Sequence, residues 1–323
     1  MLERFAAWNS WLNRRMFFLV LAAIMTGFVT AIPKTPLSSR LVVILFAYMT
    51  FVSALNTSIK EFFRVLKKPW VAVWILCLVH LVMPIIAWGI GIIFYPQDVY
   101  IRMGFLIQSE IPIAVTSLIW TSIVGGDMAL SIVALTMDTL VSPFLLPLFF
   151  SLVLGETVHF DYLTMFWQLV TMVSLPSISG MIIHDLTNNQ LSRFTNSIGG
   201  FSSKIAIFLL VALNAGGVSS QIQWDLGLVK LLMIIGLLVA SGYCLGYIGA
   251  LPYWHKDYST VVSMAYNIGM RNIAFGVVLA MAYFPTQVAI PVTLATFFQH
   301  PLAAIVAQIL RKFEGTKSTK KLA

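Results

Sequence analysis

The sequence predicts an all-α integral membrane fold of ten transmembrane helices, and three observations carry that reading. The first is composition. Of 323 residues, 59% are hydrophobic and 10% charged, with a mean hydropathy of +0.91. A soluble domain carries about 25% charged residues, so a chain this apolar needs the bilayer as its solvent. The second is segmentation: ten stretches approach the roughly 20 apolar residues that cross a bilayer as a helix. The third is the placing of charge. The formal net charge of +8 sits in short loops and tails between apolar runs, which fits membrane orientation rather than nucleic-acid binding.

The spans run over about 16–32, 40–58, 70–94, 101–123, 128–153, 163–183, 200–218, 228–250, 258–283 and 286–311. Span 1 follows Arg14-Arg15 and is succeeded by Pro33-Lys34-Thr35-Pro36 rather than a small-residue cleavage site, so it reads as a span and not a signal peptide. Cys77 in span 3 and Cys244 in span 8 each lie within apolar runs, away from metal-ligand spacing or a CxxC, and read as small hydrophobes. No soluble domain fits between spans.

Lys and Arg fix the expected orientation. With the N-terminus inside, the inner side holds Arg4, Arg14, Arg15, Lys60, Arg64, Lys67, Lys68, Arg193, Lys204, Lys256, Arg311, Lys312, Lys317, Lys320 and Lys321; the outer side holds Lys34, Arg40, Arg102 and Lys230. Both termini are therefore expected on the cytoplasmic face, in a cell membrane read as a bacterial plasma membrane. The basic tail, 311–323, is expected against anionic lipid.

Ten spans divide into two inverted halves of five, approximately 1–158 and 159–315, within one transporter domain covering 1–323. Glu110-Ile111-Pro112 recurs as Asn267-Ile268-Gly269, an offset of 157, and Ser142-Pro143 as His300-Pro301, an offset of 158. Helix-breaking residues at matching points of two halves point to a transporter's binding site, although Pro143 and Pro301 also read as simple kinks.

Charged groups inside spans are expensive and therefore informative, an unpaired Arg near the bilayer centre costing about 2.5–3.5 kcal/mol on the insertion scale. Glu110, Asp138 and Arg271 stand well within spans 4, 5 and 9. Arg271 is expected to approach Asp138, either as a lock between helices or as a positive charge offered to an anion. Glu110 reads as a protonatable gate or as a cap for the half-helix after Pro112. Thr116 and Ser117, nearest the break, are the hydroxyls of span 4 best placed as ligands, the others reading as back-bonded. His80, four residues before Pro84, reads as a packing residue or a cavity liner.

These residues resemble a known family. Met49 to Leu55 and Glu61 to Pro69, then Met83-Pro84, Pro112 to Ser117, Gly126, Ala129-Leu130-Ser131, Ser142-Pro143, Gly269-Met270-Arg271-Asn272 and Tyr283-Phe284-Pro285, follow the order and spacing of the bile acid:sodium symporter family. The resemblance implies a panel domain and a core domain, with helices 4 and 9 unwound and crossed at the midplane beside a substrate cavity. It further implies alternating access, with Glu110, Pro112, Thr116, Ser117, Ser131, Asp138, Asn267, Gly269, Arg271, Asn272 and His80 as candidate substrate- or ion-binding positions.

Departures cluster where the family holds sodium. Leu118 replaces an Asn, Asn267 an acidic residue, Arg271 a Gln, Val79 a Gln and Leu135 a Thr. Sodium favours several hard oxygens with negative charge nearby. Two like unit charges ~4 Å apart repel by about 4 kcal/mol at an effective dielectric of 20, about a thousandfold in affinity. The expectation is a secondary transporter of a small organic anion, bile-acid-like or carboxylate, in which Arg271 stands in for sodium. Coupling to protons through Glu110 or Asp138 is possible in this scheme, as is none. A sodium-coupled symporter, with a cation held by Ser117, Ser131 and Asn267, is the alternative, and a non-transporting sensor a third. Metalloid efflux lacks its thiol in span 4. The sequence offers no HExxH, Gly-x-Ser-x-Gly or membrane aspartate pair for an enzyme, and no cofactor or metal is expected.

Overall fold

The computed structural model describes residues 2–33, 35–56, 58–59, 70–154, 162–188, 190–220, 222, 224–253 and 257–321. The family-like stretch Glu61 to Pro69, and Lys34, Lys60 and Lys256 of the charge tally, lie outside the described residues. Helices account for nearly all of the rest: α1 (Leu2–Arg14), α2 (Met16–Thr30), α3 (Pro36–Ala54), α4 (Trp70–Phe94), α5 (Val99–Glu110), α6 (Thr116–Val124), α7 (Met128–Leu154), α8 (Tyr162–Leu186), α9 (Thr195–Ser219), α10 (Leu226–Gly249), α11 (Tyr258–Gly269), α12 (Ile273–Tyr283), α13 (Thr286–Leu294) and α14 (Thr296–Lys321). Among the described residues, seven helices are long and apolar enough to cross a membrane, and Phe18–Thr30 and Ile273–Tyr283 are shorter apolar helices. The predicted spans 101–123 and 258–283 are each two shorter helices, α5 with α6 and α11 with α12.

Polar residues mark where helices begin. Asp98, Asp225 and Asp257 are N-caps, each accepting a backbone N–H of the first turn, and the Asp127 carboxylate accepts the Leu130 N–H at 3.0 Å. Thr35 and Ser38 form a capping box ahead of α3, with Pro36 at its first turn. A short oxygen-bearing side chain satisfies donors that a helix start leaves open. Four of the chain's seven aspartates are thereby explained as helix starts, and Asp138 is not among them.

The chain divides into two compact units. The first comprises Met1–Lys67, Thr139–Ile222 and Val277–Thr286. In it α2 packs on α9, and α3 on both α8 and α9. Gly27 permits the α2–α9 approach, since a Cβ there would lie 2.4 Å from the Ala212 carbonyl oxygen. Lys204, counted above on the inner side, lies within α9 and is buried, donating to the Gly200 carbonyl at 3.1 Å and to the Asn9 side chain. It is a structural cation, which leaves fourteen inner charges against four. Helix α1, outside the ten predicted spans, is held here by Asn9 donating to the Asn196 carbonyl at 2.9 Å and by Phe5 and Trp8 against Phe201.

The second unit comprises Lys68–Asp138, Gln223–Gly276 and Gln287–Ala323. Its core is α11, buried along its whole length after its first turn, against α10, α6 and α14. A Cβ on Gly246 of α10 would lie 2.7 Å from the Ala265 Cα, so the α10–α11 approach requires glycine there. In both units large apolar side chains such as Phe18, Leu152, Trp70 and Met233 are exposed, the arrangement hydrocarbon favours and water does not.

Candidate functional site

Two helix breaks meet inside the second unit. Helix α5 stops at Glu110 because Pro112 disfavours helical backbone at the preceding residue; Ile111 accordingly adopts φ −59°, ψ 151°. Helix α11 stops at Gly269, with Met270 extended at φ −111°, ψ 118°. The two extended pieces pair antiparallel at Ile113 and Arg271. The Ala114 N–H donates to the Met270 carbonyl at 3.0 Å, and the Asn272 N–H to the Pro112 carbonyl at 2.7 Å.

Such a crossing leaves two N–H groups pointing outward, and side chains satisfy both. Ile113 donates to Asp138 Oδ2 at 2.5 Å, and Arg271 donates to Gln299 Oε1 at 2.9 Å. Unwound backbone away from water needs every donor met, and here every N–H from Ile113 to Ala114 and from Arg271 to Asn272 is met. Tyr243 steadies the second arm by donating to the Gln299 carbonyl at 2.8 Å. Asn272 also caps α12, its Oδ1 accepting the Phe275 N–H at 3.2 Å, and Gly269 lies where a Cβ would collide with the Tyr243 ring.

Three of the four predicted ionisable residues form one chain of contacts. His80 Nδ1 lies 2.9 Å from Glu110 Oε1, and its Nε2 2.7 Å from Asp138 Oδ1. All three side chains are buried. A π-helical turn over Leu78–Val82, just before Pro84, sets the direction of His80; such turns recur at functional sites. Glu110 does not cap the half-helix after the break: its Oε1 is taken by His80, Oε2 has no hydrogen-bond partner among the described residues, and α6 starts without a side-chain cap.

Arg271 departs from expectation. It is 3% exposed, and neither Nη1 nor Nη2 has a hydrogen-bond partner among the described residues. The predicted Arg271–Asp138 pair does not form through these nitrogens, because Asp138 is committed to His80 and to the Ile113 N–H. Both Asp138 and Glu110 still act on the guanidinium electrostatically. The buried Thr116 Oγ1 at the start of α6 also has no hydrogen-bond partner among the described residues.

Beside the crossing lies a neutral polar cluster. Ser117 Oγ donates to Asn267 Oδ1 at 3.2 Å, and Asn267 Nδ2 donates to Ser131 Oγ at 2.7 Å and to the Ser263 carbonyl at 2.8 Å. Ser131 also approaches Thr121, at 3.5 Å. These are the residues named above as the alternative cation ligands, and the structure brings them together. Among the described residues, carboxylates take no part in the cluster's hydrogen bonds. Sequence reasoning passed over Gln299, whose signal was an amide near the middle of an apolar span, directly before His300-Pro301.

Comparison with known proteins bears on this geometry. The model of the sodium bile acid symporter family matches residues 42–224. YbaS of Bacillus subtilis (strain 168) is 31% identical over 272 residues, covering 84% of this chain and 88% of that protein. The chain belongs to the sodium bile acid symporter family. Within the family it is also similar to a Bacillus subtilis protein named as a sodium-dependent transporter, YocS, at 23% identity over 87% of this chain and 88% of the other. A rice protein named as a probable chloroplastic sodium/metabolite cotransporter, BASS2, is 25% identical over 73% of this chain and 56% of its own length. As a family member the chain is a multi-pass membrane transporter of a small solute, and its family is one of transporters rather than enzymes. The family match contains the first arm of the crossing, Glu110 to Ser117; the second arm, Asn267 to Asn272, lies beyond it.

Proposed function

We propose that this chain is a secondary transporter of a small organic anion, bile-acid-like or carboxylate, that works by alternating access without sodium coupling. The observation that carries the proposal is Arg271: a buried guanidinium whose two terminal nitrogens have no hydrogen-bond partner among the described residues, at the crossing of two broken helices. A guanidinium is charged at all physiological pH and presents a planar fork suited to carboxylate or sulfonate. Sodium would meet Asn267, a neutral amide, where the family resemblance expects an acid, and a fixed positive charge four residues on.

The finer architecture in this reading is ten spans in two inverted halves, with both termini cytoplasmic in a bacterial plasma membrane. The crossing supports the halves. Its paired residues, Ile113 and Arg271, are 158 apart, the offset seen in the sequence, and their side-chain acceptors, Asp138 and Gln299, are 161 apart.

Binding of labelled taurocholate, lactate and gluconate to the purified protein tests this reading. In sodium-free choline buffer at least one should bind, and Arg271→Gln should weaken it about tenfold to a hundredfold, as expected for a charge-assisted hydrogen bond of about 1.5–3 kcal/mol. Binding that needs sodium and ignores Arg271→Gln would overturn it.

A further inference from the structure

His80 is held at both ring nitrogens by carboxylate oxygens, and this contact pattern determines a proton count. A neutral imidazole has one N–H and one lone pair, whereas a carboxylate only accepts. Contacts of 2.9 Å and 2.7 Å to Glu110 Oε1 and Asp138 Oδ1 cannot both be hydrogen bonds between a neutral imidazole and two carboxylates. The triad therefore holds one further proton. Imidazole is the stronger base, with an ordinary value near 6.5 against about 4 for a carboxyl, so the proton belongs on His80, which then donates from both nitrogens.

Charge agrees with this count. The imidazolium and Arg271 together balance Glu110 and Asp138, leaving the crossing neutral. Loss of the proton leaves one buried negative charge uncompensated, an expensive state. The other titratable or charged groups on elements packed against the His80 turn are Cys77 on α4, Tyr100 and Arg102 on α5, and Lys230, Tyr243, Cys244 and Tyr247 on α10. Both ring nitrogens are already taken by the two carboxylates, so the proton is theirs to share.

We propose that His80, clasped between Glu110 and Asp138, is the proton-binding site that couples transport, with one proton carried in the direction of each monovalent organic anion. The inference rests on the anion-transport reading above. The proton arrives on the imidazole from the side at which the anion enters and leaves to water on the other side. With proton and anion both bound, the site carries the same single negative charge as when both are absent, so the return of the empty protein cancels the passage of the loaded one and the full cycle moves no net charge.

Two measurements on the full-length protein decide the matter. In 15N-histidine-labelled protein in nanodiscs, the His80 signals, assigned by their loss in His80→Gln, should be those of an imidazolium near neutral pH; neutral imidazole signals at all pH values from about 6 to 9 would overturn the proposal. In liposomes loaded with a pH dye and clamped at zero potential, an inward proton gradient of about 1.5 units should accumulate taurocholate or gluconate about tenfold, which needs only about 1.4 kcal/mol, with acidification of the lumen. Any uptake left in His80→Gln or in Glu110→Gln should ignore the gradient. Counterflow separates the two claims. If the wild type exchanges labelled for unlabelled anion but the gradient neither accumulates anion nor moves protons, the coupling is wrong and the transport reading stands. If neither anion exchanges, the transport reading falls and the coupling with it.

Discussion

At the scale of single residues, the proposal turns on charge. Asn267 sits among Ser117, Ser131 and Ser263 with each contact a neutral hydrogen bond, and Arg271 supplies the positive charge. Restoring the family residues should reverse this. Asn267→Glu with Arg271→Gln removes the guanidinium and adds a carboxylate, so anion binding in the double variant should become sodium-dependent; binding that stays indifferent to sodium would count against the substitution argument. Much at this scale was legible in the sequence. Glu110, Asp138 and Arg271 were conspicuous because charge within a span demands a reason. Their pairing was not legible. Opposite charge suggested Arg271 with Asp138, but the unsatisfied N–H of Ile113 and the imidazole of His80 are competing claims on the same carboxylate, and neither shows in a linear reading.

At the scale of elements, Pro112 and Gly269 announced the two breaks, and the span boundaries hold to within a few residues for most helices. The π turn at Leu78–Val82 left no such signal. It widens one turn of α4 at the point from which His80 reaches Glu110 and Asp138. Gln299 was missed for a related reason: its role is to accept a backbone N–H from a segment 28 residues earlier, a partnership that exists only once α11 is broken. Helix α11 also offers a test of its own start. Partial burial pushes the Asp257 carboxyl up, but hydrogen bonds from Thr260 and Ser259 outweigh it and hold the group below its ordinary value. A carboxyl depressed in the folded state contributes stability above its unfolded value, near 3.9, and loses it as pH falls through the folded one. Amide protection in the first turn of α11 should therefore be constant above about pH 5 and decline below about pH 4, and Asp257→Asn should remove that dependence. A pH-independent first turn would show that the cap contributes nothing.

At the scale of the whole molecule, composition together with continuous apolar runs of about 20 residues identified a polytopic α-helical membrane protein, since a barrel strand would be shorter and alternate in polarity. The seven long helices, the two broken ones and the family match agree with that. Helix α1 escaped notice since it is too polar to span; its Trp8 and Trp11, both about half exposed, were visible in the sequence but have no span to signal. The central claim is that an arginine at the crossing has replaced sodium in a transporter of organic anions. Uptake of labelled taurocholate and gluconate into proteoliposomes, with sodium absent from both sides and then supplied as an inward gradient, addresses it most directly. The account predicts uptake without sodium, no stimulation by the gradient, and loss of uptake in Arg271→Gln. Uptake that appears only with inward sodium would contradict it.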